Sequence, residues 1–238
     1  MKLIAVTAGK GGVGKSCVAA YAGAALAKAG RRVLLLELGA QARSLDTILH
    51  APGALMTVQD IARGDCSAGE AMADVPGYGD LCLIPTSPVP CRAVAPGELL
   101  TLLDSLPADI DFVIADGVDP CSFPVKAAHM VLLVTTPELL SVRAAADTAR
   151  LLENAGCGEL RLVINKVPPQ VVPMKGIEDF DDIIDMTGAR LIGVIPQSQK
   201  LAYASNNTEP LGEDSLTPQI FGRIAARIMG ENPPLLVC

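Results

Sequence analysis

Gly9-Lys10-Gly11-Gly12-Val13-Gly14-Lys15-Ser16 is the stretch from which the rest of the chain is read. It follows an apolar run, Leu3-Ile4-Ala5-Val6, and precedes an alanine-rich segment that reads as a helix from about Lys15 to Ala29. Strand, glycine-rich turn and helix in that order form a phosphate-binding unit, because glycines let backbone N–H groups converge on an anion at the positive end of the helix. The interval from Gly9 to Gly14-Lys15-Ser16 fits G-x-x-x-x-G-K-[ST]. In that pattern the lysine reaches the β- and γ-phosphates and the hydroxyl ligates Mg²⁺. Gly11, Gly12, Val13, Gly14, Lys15, Ser16 and Cys17 are therefore candidate nucleotide contacts, Lys15 a catalytic one, and Ser16 a candidate metal ligand. A turn that binds nothing has no need of a Lys-Ser pair at that offset.

Lys10 places a second cation inside the loop. Lys10-Gly11-Gly12-Val13-Gly14-Lys15-Ser16 resembles the deviant Walker A motif of the MinD/ParA ATPases. In that family the early lysine crosses a dimer interface to touch the partner's nucleotide. The resemblance thus implies ATP and Mg²⁺ as cofactors, an ATP-dependent homodimer, and Lys10 as a catalytic residue acting between copies. Taken by itself, Lys10 also reads as a solvated loop cation.

Composition sets the frame around that loop. The 238 residues, half of them hydrophobic, suffice for one sizeable core and are read as a single nucleotide-binding domain over 1–238. A net charge of -7 argues against a broad nucleic-acid footprint. The seven cysteines are scattered and form no C-x-x-C pair, so neither a disulfide framework nor a zinc site is indicated, and reduced thiols in a cytoplasmic protein are expected. The apolar start meets the loop by Gly9, which leaves no room for a signal peptide, and no run of eighteen apolar residues exists to span a membrane. Cys238 is not placed for a C-a-a-X box.

Several continuous apolar runs read as parallel strands buried on both faces. They are Arg32 to Leu38, Leu81 to Pro85, Asp111 to Asp116, Met130 to Val134, Arg161 to Val167 and Leu191 to Pro196. Between them, helices are expected at Thr57 to Arg63 with Thr57 as cap, Glu98 to Leu106, Ser141 to Glu153 and Glu178 to Thr187. Ala51 to Gly79 carries weaker signals. The resulting class is α/β: a three-layer sandwich with a mostly parallel central sheet flanked by helices, the P-loop NTPase architecture.

The strand ends carry the remaining candidates. Asp116 closes its strand where the Walker B acid of P-loop proteins holds Mg²⁺, so it is a metal and catalytic candidate; a turn acid after a strand reads the same way. Glu37 closes the second strand and is a catalytic candidate; it equally suits a strand-end carboxylate facing solvent. The MinD-like pattern usually shows Asp-x-Asp here, whereas this chain has Glu37-Leu38-Gly39 followed by Arg43 and Leu45-Asp46. Gly39 thus stands where the family carries the aspartate associated with the attacking water. A second departure is Gly117-Val118-Asp119-Pro120, in which Pro120 replaces the glycine of the family's Asp-x-x-x-Gly switch and removes its amide. Asp119 is available as a substitute acid. Together these departures imply a slow or impaired ATPase.

Further along, the resemblance implies nucleotide contacts at Asn165, the family's adenine position, and at Pro196; a strand-end turn is the plain alternative for Asn165. Thr135-Thr136-Pro137-Glu138 with Ser141-Val142-Arg143, Gly193-Val194-Ile195-Pro196, and Ala204-Ser205-Asn206-Asn207 with Glu209-Pro210 extend the likeness to about Leu211. Ala144 and Ala146 occupy places where the family helix carries acids that contact a partner, so the protein partner stays unidentified. The segment Ile220 to Met229 has an apolar face and two arginines four apart; this suits the family's last core helix and argues against membrane contact. The reading is a MinD-like ATP-binding dimerisation switch used in protein positioning or cell-division organisation. Its rivals are a ParA-like DNA-associated partitioning ATPase and an electron-transfer ATPase like the nitrogenase iron protein, suggested by Cys91 and Cys121 on either side of Asp116.

Overall fold

The computed structural model describes residues 1–39, 43–51, 53, 55–89, 91–169, 177–199, 201 and 216–236. The likeness over 204–210 lies outside these residues. Strands β1 (Lys2–Thr7), β2 (Val33–Glu37), β3 (Ala73–Asp74), β4 (Leu81–Ile84), β5 (Phe112–Asp116), β6 (Met130–Thr135), β7 (Leu160–Val167) and β8 (Arg190–Pro196) form one sheet in the order β3-β4-β2-β5-β1-β6-β7-β8. All pairings are parallel except β3 with β4. The α/β expectation is therefore borne out, with one antiparallel edge strand that its two residues are too few to announce.

The apolar strands are continuous because they are covered twice. Along β2, Val33 and Leu35 enter one core with helix α1 (Lys15–Lys28), while Leu34 and Leu36 enter another with α3 (Val58–Arg63) and α5 (Pro96–Asp104). A third cluster joins β6, β7 and β8 to α6 (Leu139–Asn154) and α7 (Phe180–Thr187). Helix α8 (Leu216–Ile228) buries Ile220, Phe221, Ile224, Ala225 and Ile228 and stacks Phe221 on Tyr21 of α1, ring centroids 5.5 Å apart. With the sheet on one side and α8 on the other, α1 has little solvent face, which explains its alanines.

Short elements beyond the expected helices are α2 (Leu45–Leu49), just before the weakly signalled region, and α4 (Ala68–Ala71) within it. Thr57 caps α3 as expected, in a reciprocal box with Asp60. Both arginines of α8 are bonded to backbone carbonyls of the chain. Arg223 donates to the Pro234 carbonyl at 2.6 Å, and Arg227 donates to the carbonyls of Pro233 and Leu191. Among the described residues no helix is long and apolar enough to cross a membrane.

Sheet order fixes where chemistry can occur. From β1 the chain moves to one side through β2 and β4, returns at β5, and then moves to the other side through β6, β7 and β8. The crevice at the carboxyl ends of β1 and its neighbours is the usual ligand position of such sheets.

Candidate nucleotide-binding site

The loop after β1 is shaped from both sides. Gly14 caps α1 with φ 95° and ψ 31°, a left-handed geometry that a side chain resists, and any Cβ there would run into Asn165. Gly9 lies against the Ala144 carbonyl of α6, where again no side chain fits. Asn165 Nδ2 donates to the Val13 carbonyl at 2.8 Å, and Lys166, itself at φ 57°, donates from Nζ to the Gly12 carbonyl at 2.7 Å. A trans peptide sends its N–H opposite to its C=O, so the Val13 and Gly14 amides face away from β7.

The start of α1 is left open. No side chain caps it and its first turn carries no acid, so the helix's own sequence does not offset its dipole. Lys15 and Ser16 are its first residues and half-buried, Cys17 packs its partly buried side chain against the core, and Val13 is buried below the loop. Gly11 and Gly12 are exposed, with open space where a Cβ would sit. Lys10 is solvent-facing and meets Glu138 at 3.4 Å; an exposed pair of that kind holds the side chain weakly.

Two buried carboxylates, Glu37 and Asp116, are neighbours in the β2–β5 register, and Asp116 lies within electrostatic reach of Lys15. Each is at most 2 % exposed. Burial pushes Asp116 up to about 6, the Glu37 charge adds to the rise, and the Ser16 hydroxyl, Lys15 and the Gly117 amide draw it back. Asp116 Oδ1 is buried without a hydrogen-bond partner. An orphaned anionic oxygen beside a hydroxyl and a lysine fits Mg²⁺, which keeps several waters and takes one or two protein ligands with the phosphates. Ser16 and Asp116 are the residues that would hold it.

Glu37 is not a strand-end acid in solvent. Its Oε1 accepts from Ser44 N at 2.6 Å, Ser44 Oγ at 3.1 Å and Leu45 N at 3.1 Å, and its Oε2 accepts from Thr86 N at 3.3 Å. These bonds tie β2 to the start of α2 and to the end of β4. Asp119 is likewise engaged within its own turn, accepting from Cys121 N at 3.1 Å and Ser122 Oγ at 2.9 Å. Gly117, at φ 74°, approaches Gly39 so closely that a Cβ on it would lie 2.8 Å from the Gly39 backbone. Next to these, Thr7 Oγ1 donates to the Val118 carbonyl at 2.7 Å and anchors the segment after β5 to β1.

Asn165 and Pro196 close the far rim. Asn165 is buried, and besides its bond to Val13 it accepts from Lys166 N at 2.9 Å. Pro196 is half-buried and pairs in register with Val167. Lys166 and Thr86 were not singled out by sequence; the Lys after Asn165 in a strand-end position was the one available signal. Ala146 on α6 is buried at 5 % exposure, so it does not belong to the exposed side of that helix, where Arg143, Asp147 and Arg150 lie. Burial raises the Cys66 and Cys157 thiols and pushes Cys82 to about 11, as befits unreactive cysteines.

Comparisons with known proteins agree with this geometry. Residues 4–211 match the model of the CobQ/CobB/MinD/ParA nucleotide binding domain. The septum site-determining protein MinD of Synechocystis sp. is 31 % identical over 99 % of this chain and 92 % of its own length. The MinC:MinD cell division protein complex of Aquifex aeolicus superposes with a TM-score of 0.90 at 28 % identity, covering 100 % of this chain and 99 % of that one. A MinD from Pyrococcus horikoshii, solved with Mg-ADP, shares the fold with a TM-score of 0.82 at 21 % identity, over 95 % of both chains. On a glycine-rich loop braced from both sides, a matching fold and these relatives, the chain belongs to the MinD/ParA family of P-loop ATPases, on its MinD-like side.

Proposed function

We propose that this chain is a cytoplasmic, ATP-dependent dimerisation switch in which two copies close face to face over two Mg-ATP molecules and a protein partner reads the closed state. The observation that carries the reading is the pairing of an uncapped, acid-free α1 N-terminus with an orphaned Asp116 oxygen on the opposite wall. The first receives phosphate and the second receives the metal. Lys15 neutralises the β- and γ-phosphates, Ser16 and Asp116 hold Mg²⁺, and Asn165 and Pro196 border the base. Asn165 retains one N–H and acceptor capacity for a purine edge. When bound, Mg²⁺ supplies charge neutralisation on the phosphates.

Lys10 serves the partner copy. Its solvent-facing ammonium and weak exposed tie to Glu138 leave it free to exchange that carboxylate for a phosphate. Hydrolysis is slow, because Gly39 has no side chain to orient water and the oxygens of Glu37 and Asp119 already accept hydrogen bonds from the chain. The names of the relatives, septum-site proteins and a MinC:MinD assembly, support a role in protein positioning for cell division.

The test is the mass of the protein in solution followed after one addition of limiting Mg-ATP. A dimer that persists with intact ATP is the expected result and describes a clamp reset by its partner. A dimer that decays within minutes as ADP accumulates would remove the slow-hydrolysis part of the reading. Lys10→Ala is expected to bind ATP as a monomer; a dimer of undiminished stability in that variant would sink the face-to-face arrangement.

A further inference from the structure

A buried polar chain leads away from the metal side of the site to helix α3. Beyond the Thr86 amide on Glu37, the Thr86 hydroxyl accepts from Gln59 Nε2 at 3.1 Å, and Gln59 Oε1 accepts from Ser87 N at 2.8 Å. Gln59 is 6 % exposed and Thr86 1 %. Glutamine is normally a surface residue, and one buried with both ends of its amide bonded to the two residues leaving β4 is held in a defined pose. Its helix is fixed on the same segment, since Val58 N donates to the Pro85 carbonyl at 3.0 Å.

The distribution of donors on Glu37 shows what this chain controls. Among the described residues, Oε1 has three donors and Oε2 has one, the Thr86 amide. If Thr86 shifts, Oε2 becomes a buried anionic oxygen without a donor, directly across the register from Asp116. Such an oxygen must move or find a new partner, because an unpaired buried charge is costly. Either response changes the wall on which the metal sits.

We propose that Gln59 is a positioning residue of the nucleotide site: by fixing Thr86 and Ser87 it keeps the Thr86 amide on Glu37, and through Glu37 it sets the metal-facing wall at Asp116. The proposal rests on the reading of the site as one for Mg-nucleotide. Gln59 touches neither the loop nor the phosphates. It also lines a surface cleft of about 230 Å³ with Arg63, Cys91 and Arg92, so the chain of contacts runs from the protein surface to the metal wall.

Gln59→Leu removes both ends of the amide at nearly constant volume. Binding of a non-hydrolysable ATP analogue is measured in Mg²⁺ and in EDTA. The variant is expected to bind about tenfold more weakly in Mg²⁺, the scale of an outer residue that orients a metal ligand. Binding in EDTA stays at the wild-type value, because Asn165 and Lys166 brace the loop independently. In the nucleotide-free protein the Thr86 amide exchanges its hydrogen faster than in wild type. Glu37→Gln weakens Mg²⁺-dependent binding by itself, and adding Gln59→Leu to it produces little further loss, as residues acting through one contact are not additive. If Gln59→Leu does not fold, Thr86→Val removes the same link and Thr86→Ser, which keeps the hydroxyl, restores binding.

Equal losses in Mg²⁺ and EDTA, unchanged Mg²⁺ affinity, or full additivity with Glu37→Gln would each overturn the positioning role. A wild-type protein that fails to bind the analogue under either condition would instead overturn the nucleotide-site reading, and the proposal with it.

Discussion

Between β1 and α1 the outward-facing groups are donors awaiting an acceptor: loop amides turned from β7, an uncapped helix start and Lys15. At the ends of β2 and β5 the acceptors are mostly supplied already, Glu37 by Ser44, Leu45 and Thr86 and Asp119 by its own turn, while Asp116 Oδ1 has no partner among the described residues. The first region offers donors and the second chiefly holds its own shape. On the proposed function, the first captures the anion, the open oxygen of the second takes the cation, and binding and turnover become separable because they depend on regions with opposite hydrogen-bond balance.

The largest expected effect separates the two regions by function. Lys15→Ala should weaken ATP binding at least about 100-fold, the loss of charge-assisted hydrogen bonds to phosphate. Its thermal unfolding should stay close to wild type, because a half-buried lysine at a helix start makes little packing contact. Titration calorimetry and a melting curve on the same preparation check both parts. ATP binding retained within a few fold would break the comparison by showing that the loop is not where the anion is captured.

Asp116 gives the next effect. An ordinary aspartate titrates at 3.8, and burial followed by the Glu37 charge moves this one to about 6. A raised carboxyl favours the folded apo protein in its protonated form. The stabilisation is complete below about pH 4 and is lost as pH rises through about 6, by about 3 kcal/mol at most. Asp116→Asn cannot ionise, so urea unfolding from pH 4 to 7 should show wild type losing ground against the variant over that window. A constant difference between the two proteins would mean that Asp116 is not strained by its surroundings. Mg-nucleotide should reverse the trend in wild type, because the metal selects the ionised carboxylate.

These contrasts were unevenly legible in the sequence. Continuous apolar runs such as Val33-Leu34-Leu35-Leu36 can only be strands covered on both faces, and the Gly-Lys-Ser spacing leaves few alternatives, so sheet class and phosphate loop were readable. β3 was not, because two residues carry no period, and neither was α2, whose start is held by a carboxylate seven positions earlier. Asn165 was readable as a site residue, but its bond to Val13 spans 152 positions. Glu37 was visible as an acid and invisible as a fastening, since the bonds from Ser44 and Leu45 follow no period and Thr86 is brought beside it only by the sheet order. Ala146 stands where the resemblance places a partner-contacting acid, whereas packing buries it.

The smallest effect, and the sharpest for the second region, concerns two glycines that touch. Gly117 needs its residue type twice over: its φ of 74° disfavours a side chain, and a Cβ would lie 2.8 Å from the Gly39 nitrogen and Cα. Gly39 shows no such need, because among the described residues a Cβ there meets nothing closer than Gly117 Cα at 3.8 Å. Gly117→Ala should therefore destabilise by about 2 kcal/mol, from the left-handed backbone and the displaced neighbour. Gly39→Ala should change stability by less than about 0.5 kcal/mol, as an ordinary surface substitution does. Chemical denaturation of the two variants checks the asymmetry. If it holds, the packing at Gly39 does not require glycine, and the missing side chain there is a vacancy in the chemistry of the second region that its architecture leaves room to fill. Equal losses would mean that the two strand ends are locked together from both sides, and that the absent side chain at position 39 is a condition of the fold.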